Sequence, residues 1–149
     1  MKEIADQIRL VVESAKMQLP AIEESAANLK PASDKWSKKE ILGHLIDSAA
    51  NNHQRFVRAV YNEADKFPTY KQNDWVRIQQ YNDSSWKSLI ELWTAYNYHL
   101  SDLIKRMPVS CKSSPCNIGK TEPVTLEFVV VDYLRHLKHH INKLIEKTI

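Results

Sequence analysis

A chain of 149 residues with 43% hydrophobic content has the size and the apolar material for one domain with a substantial core, here assigned to residues 1–149. Lys and Arg number 21 against 18 Asp and Glu, and the net charge of +3 is dispersed, which excludes the basic block or stripe of a nucleic-acid binder. No apolar run approaches the roughly 18 residues that span a bilayer, and the N-terminus reads as a charged amphipathic helix without a signal-peptide core, so a soluble, cytoplasmic protein with no membrane partner is expected.

Four long helical segments follow one another. The first covers residues 4–19 and stops at Pro20, which ends it or begins a short second piece. A linker through Pro31 and Asp34 leads to Ser37-Lys38-Lys39-Glu40, whose form is that of a capping box, and the second helix continues from there to about Tyr61. Residues 62–82 mix aromatic and polar groups, and Pro68 prevents simple continuation of the helix; residues 74–80 are predicted to form one short helix. The third long helix starts near Asp83 or Ser84 and ends before Pro108. A Ser/Pro-containing segment with short extended pieces follows, and Thr125 is placed to cap a fourth helix running to about Lys147.

Several chemistries are excluded by composition. Only Gly43 and Gly119 are glycine, so no phosphate-cradling loop or dinucleotide fingerprint exists, and no serine stands in a nucleophile-elbow context. Cys111 and Cys116 have four residues between them, not the two of a zinc ribbon. They read as ordinary thiols in a reducing compartment, with a disulfide or redox pair as the alternative.

The chemistry-bearing feature is the pair His136 and His140, four residues apart and therefore one turn apart on one helix face, where two imidazoles can converge on one metal ion. Helical phase supports choosing this pair. Leu126, Val130, Tyr133, Leu137, Ile141 and Leu144 define the buried stripe of the fourth helix; His140 lies at its edge, His136 slightly further round the same shoulder, and His139 faces solvent. In the second helix the predicted stripe is Ile41, Leu45, Ala49, Phe56 and Val60, with His44 on a polar shoulder beside Ser48, Asn51 and Arg55. His99 occupies a shoulder of the third helix, flanking Leu92, Tyr96 and Leu103, so phase alone leaves it open as a third ligand; His53 is a weaker rival. Leu137 and Lys138 stand where a zincin motif begins with glutamate, so no general base is built in between the pair. Neutral imidazoles suit zinc, nickel, iron or copper, and three protein ligands leave a coordination position for water or substrate.

The run Trp36-Ser37-Xaa-Lys39-Glu40-Ile41-Leu42-Gly43-His44-Leu45-Ile46-Asp47, followed far downstream by Asp132-Tyr133-Xaa-Xaa-His136-Leu137-Xaa-His139-His140, resembles the DinB/YfiT-like superfamily over nearly the whole chain. The resemblance implies an all-α, up-down-down-up four-helix bundle with short accessory helices. It also implies a divalent metal, drawn from zinc, nickel, manganese and iron, on His44, His136 and His140, which demotes His99. Members of such a family include transferases and isomerases dependent on bacillithiol, mycothiol or glutathione, so the resemblance implies a small-molecule substrate and a thiol transferase. A metal-dependent hydrolase and a non-catalytic metal or ligand binder are the alternatives, and an aromatic-rich surface suits a homodimer. Substrate or supporting contacts are expected from Asp47, Asn51, Arg55 and Asp132. Asp132 is placed to accept an N–H from His136, Asp47 to orient His44 or pair with a lysine, and Arg55 to bind a substrate carboxylate or form a structural ion pair. Tyr70 and Trp75, in an aromatic and amide-rich loop, are the candidate pocket lid; Trp36, Trp86 and Trp93 are expected to anchor helices in the core.

Overall fold

The computed structural model describes residues 1–145. Its elements are α1 (Lys2–Gln18), α2 (Glu24–Asn28), α3 (Lys38–Val60), α4 (Gln72–Gln79), α5 (Trp86–Arg106), the two-residue strands β1 (Pro115–Cys116) and β2 (Val124–Thr125), and α6 (Leu126–Ile145). The predicted end near Lys147 lies outside the described residues. No described helix is long and apolar enough to cross a membrane.

Local chemistry sets the helix starts. Ser37 Oγ accepts from the Glu40 backbone N–H at 3.1 Å while Glu40 Oε2 accepts from the Ser37 N–H at 2.8 Å, so both halves of the capping box form. Ser85 Oγ caps α5 through the Ser88 N–H, and Thr125 Oγ1 caps α6 through the Phe128 N–H at 3.2 Å. The extended pieces of the Cys segment pair as an antiparallel ladder, Cys116 opposite Val124. Both cysteines are free thiols and buried.

Specific contacts give the direction of each long helix. Ser101 Oγ donates to the Ala5 carbonyl and Trp86 Nε1 to the Leu19 carbonyl, so α1 and α5 run antiparallel. Lys38 Nζ donates to the Leu144 carbonyl and the Phe56 ring meets Tyr133 edge-on, so α3 and α6 run antiparallel. Asn82, just before α5, accepts from Ser37 Oγ, whereas His53 lies against Tyr96 and His99; α3 and α5 are therefore parallel neighbours. Lys138 Nζ donates to Gln7 Oε1, and Gln18 and Ile145 border the same groove, so α1 and α6 are parallel. The result is the up-down-down-up four-helix bundle with short accessory helices.

Parallel neighbours cannot be joined by a tight turn. The chain must travel back along α3, about 34 Å at 1.5 Å per residue for its 23 residues, and residues 61–85 do so across the polar side of that helix. This crossover explains the main departure from the sequence expectation. His44, Ser48, Asn51 and Arg55, predicted on a shoulder, are buried at 2–5% exposure, while Val60, predicted in the core stripe, is 44% exposed and Ile41 is only half-buried. The α6 stripe, which has no such cover, is buried as predicted at all six positions. Trp86 and Trp93 are core residues. Inside the bundle, Tyr133 Oη donates to Asn97 Oδ1 at 2.6 Å, tying α6 to α5 across the diagonal.

Gly43 fixes how closely the crossover approaches. A Cβ there would stand 2.0 Å from Tyr81 Cδ2, so only glycine admits the Tyr81 ring against α3. That approach delivers Tyr81 Oη to Asp47 Oδ1 at 2.6 Å, beside the Gln79 amide, which also donates to Oδ1.

Candidate metal centre

His44 projects from the second turn of α3 and His136 and His140 from consecutive turns of α6. Because α3 and α6 are antiparallel, one residue on the first helix meets two on the second. The ring centroids are 5.1 Å apart for His44–His136, 5.0 Å for His44–His140 and 4.5 Å for His136–His140. One ligand atom from each lies within 4.8 Å of the others, a group that can hold a metal ion. His44 Nε2 and His136 Nε2 face each other at 3.1 Å, a distance at which two imidazole nitrogens share a proton or a cation. The Trp36 ring lies 5.0 Å from that of His44 and is half-buried against the core, less deeply than Trp86 and Trp93.

Electrostatics keeps these rings neutral. Burial, followed by the charge of His136, pushes His44 down to about 4; burial, followed by His136 and His44, pushes His140 down to about 3; burial also lowers His136, against the opposing pull of Asp132. Neutral imidazole is the form that ligates metal. His44 Nδ1 and His140 Nδ1 are sealed from solvent without a hydrogen-bond partner among the described residues. Three desolvated, mutually repelling rings with orphaned nitrogens are a poor source of stability and a good donor set, so the residues present fit a divalent cation.

A pH dependence follows from the depressed values. The unfolded chain binds protons at these histidines below about 6.5, whereas the folded chain resists until much lower pH. Their contribution to stability is therefore complete above about 6.5 and is lost as pH falls towards the folded values. The urea midpoint of the metal-free protein is expected to drop between pH 7 and pH 5, and His140→Gln to make that drop shallower. Equal pH slopes for the two proteins would contradict the assignment.

The remaining predicted site residues divide sharply. Arg55, Tyr70 and Asp132 line one cavity of about 300 Å³ with His44 and His136, together with Ser48, Asn52, Gln72 and Tyr133. Burial, helped by Asp47, pushes the Tyr70 phenol up to about 12, so at neutral pH it is a hydrogen-bond donor. Asp132 does not support His136 as expected: its carboxylate accepts from Arg135 Nε at 3.1 Å and from Nη2, because a guanidinium one turn away offers a charge-assisted fork. Asp47 neither orients His44 nor meets a lysine; it holds Tyr81 and Gln79, and burial raises its carboxyl above the usual range. Asn51 donates to the Asp47 carbonyl at 2.9 Å within α3. Trp75 stands outside the histidine cavity, edge-on behind Tyr70 at 5.1 Å, so it braces the wall and is not a lid over the site. His139 is exposed, as expected. His53 and His99 pair with each other at 5.0 Å between α3 and α5 and do not join the three-histidine group.

Tyr81 and Gln79 had no signal in periodicity, since their role depends on where the crossover lands. The one available cue was Gly43, a glycine in the second turn of an otherwise strong helix.

Comparison with known proteins agrees with this fold. YfiT from Bacillus subtilis, described as a probable metal-dependent hydrolase with an unusual four-helix bundle topology, superposes with a TM-score of 0.85 at 19% identity, covering 97% of this chain and 83% of that one. The mycothiol-dependent maleylpyruvate isomerase superposes with a TM-score of 0.77 at 14% identity, and this chain spans only 59% of its length while 95% of this chain is covered. Among curated proteins none is significantly similar in sequence. The family model of the DinB superfamily matches residues 14–144, a span that takes in the capping box, the crossover and all three converging imidazoles. The chain belongs to the DinB superfamily.

Proposed function

We propose that His44, His136 and His140 hold one divalent cation, and that the protein is a metal-dependent enzyme acting on a small molecule by transfer of a low-molecular-weight thiol. The observation that carries this reading is the composition of the cavity beside the rings. Among the described lining residues the one carboxylate, Asp132, pairs through Oδ1 with the exposed Arg135, and none is a cysteine or a lysine, so the cavity offers no protein nucleophile of that kind. The nucleophile must therefore come with the substrate, as water or as a thiol, and free water has a pKa of about 15.7. A thiol, with a pKa of about 8.5, needs much less help to ionise. A divalent cation held there would stabilise a thiolate at neutral pH, and would equally bring bound water to a pKa of about 7, which keeps hydrolysis as the second reading.

The chain's own residues do the rest. The three imidazoles stay neutral, the Tyr70 phenol presents a proton donor to the cavity, and Tyr133, Ile118 and Val129 give it an apolar wall that limits water. In the reaction the sulfur lone pair forms a bond to an electrophilic carbon of the second substrate. The leaving group departs with the electrons of its old bond, and the thiol proton passes to solvent.

Likeness to YfiT gives the second reading, a metal-dependent hydrolase. The two are separated by incubating zinc-, nickel-, manganese- and iron-loaded protein with bacillithiol, mycothiol or glutathione and a panel of small electrophiles and esters. Consumption of the electrophile that requires both metal and thiol is the expected result. Turnover of esters without thiol assigns hydrolysis, and no turnover with any metal leaves a binding protein.

A further inference from the structure

Arg55 is a buried charge without an anion. It is 5% exposed, its Nε donates to the Asn117 carbonyl at 3.1 Å, Nη1 barely reaches Asn52 Oδ1 at 3.5 Å, and Nη2 has no acceptor among the described residues. One face of the guanidinium lies over the Phe67 ring at 5.6 Å. No described carboxylate forms an ion pair with it, and the groups acting on its charge are Tyr70 and Cys116. A guanidinium removed from water costs free energy unless its donors meet an anion. This one opens onto the cavity lined also by His44, earlier on the same face of α3, and by His136 of α6.

We propose that Arg55, with the Tyr70 hydroxyl, anchors the carboxylate of a small monoanionic substrate whose reacting end lies towards His44 and His136. The inference rests on the reading of this cavity as the substrate site. Three features select the ligand. The open edge of the guanidinium matches the planar fork of a carboxylate. One guanidinium balances the charge of one carboxylate, whereas a dianionic phosphate keeps a charge uncompensated, since the other arginine nearby, Arg135, is paired with Asp132. A volume of about 300 Å³ is at the small end for ligand pockets, about ten liquid-water volumes at ~30 Å³ each, which limits the buried part of the substrate to a short chain or a single ring.

The test is an NMR titration of the full chain, metal-free and zinc-loaded, with butyrate, its neutral isostere butyramide, and inorganic phosphate. The Arg55 Nε–H resonance in wild type is expected to move with butyrate and stay still with butyramide. Arg55→Gln should weaken butyrate binding by on the order of tenfold or more, the usual effect of a charge-assisted pair, and leave butyramide unchanged; Arg55→Lys should recover part of the loss. Tyr70→Phe, which keeps the guanidinium and its carbonyl contact, should weaken butyrate alone and supplies the answer if Arg55→Gln does not fold. Equal binding of acid and amide, an unmoved Arg55 resonance, or tighter binding of phosphate than of butyrate overturns the proposal. Butyrate binding in the metal-free protein separates the two readings: it is retained if the three histidines turn out to hold no metal, and absent if Arg55 has only a structural role.

Discussion

His140→Ala is expected to weaken zinc binding by about a hundredfold or more, roughly 3 kcal/mol, because it removes one of three neutral donors and no neighbouring side chain can replace it. His139 adjoins the site in sequence but is exposed, and its ring reaches His140 only edge-on at 5.1 Å. His139→Ala is therefore the internal control, with zinc affinity expected within about threefold of wild type, below 0.7 kcal/mol. The measurement is competition against a chromophoric chelator, using protein that carries no histidine tag. His44→Ala should match His140→Ala, since it deletes the only contribution from α3. Equal zinc affinity in wild type and His140→Ala would falsify the ligand assignment, as would a wild type that takes up no stoichiometric metal.

Gly43→Ala is expected to destabilise the protein by about 2 kcal/mol or more, lowering the melting temperature by roughly 4–8 °C. In a solvent-facing helix the same change stabilises by about 1 kcal/mol, because alanine is the better helix former. The opposite sign is expected here because the new methyl group overlaps the Tyr81 ring, with contacts of 2.0–2.4 Å. That ring cannot swing aside without giving up the hydrogen bond from its hydroxyl to the buried Asp47 carboxylate. Tyr81→Ala in the Gly43→Ala background should relieve the clash, so a double-mutant cycle is expected to show favourable coupling above about 1 kcal/mol. A Gly43→Ala protein with a raised melting temperature would show that the crossover does not press on α3.

The comparison of sequence and structure turns on which interactions are local. Capping at Ser37 and Thr125 is legible because the partners are three residues away. The α6 stripe is legible because that helix buries one face only, which is the case the 3.6-residue period describes. The α3 stripe is not, because periodicity states which residues share a face and says nothing about whether a remote segment will cover it. Spacing pairs His136 with His140, and phase offers His44, 92 residues away from His136, as a third ligand, whereas setting His99 aside needs the family resemblance. Asp132 lies in the cavity beside His136, as its place one turn earlier on the helix predicts, but its hydrogen bonds go to Arg135, a competing partner on the same helix. Arg55 was expected to be either a substrate ligand or an ordinary ion pair. Among the described residues no carboxylate pairs with it, and its burial at 5% exposure comes from the crossover, which local sequence does not reveal.

The parallel arrangement of α3 and α5 has a consequence for how such a protein can diversify. The rings that converge on one point belong to two helices held in register by the bundle core, while Tyr70 and Gln72 on the cavity wall belong to the segment that merely has to return the chain to its starting end. Substitutions at Tyr70 or Gln72 reshape the chamber and leave the spacing of the imidazoles to the helices that carry them. One part of the chamber wall is thus free to change shape independently of the helices that bring the imidazoles together, while Arg55 stays tied to the helix that carries His44.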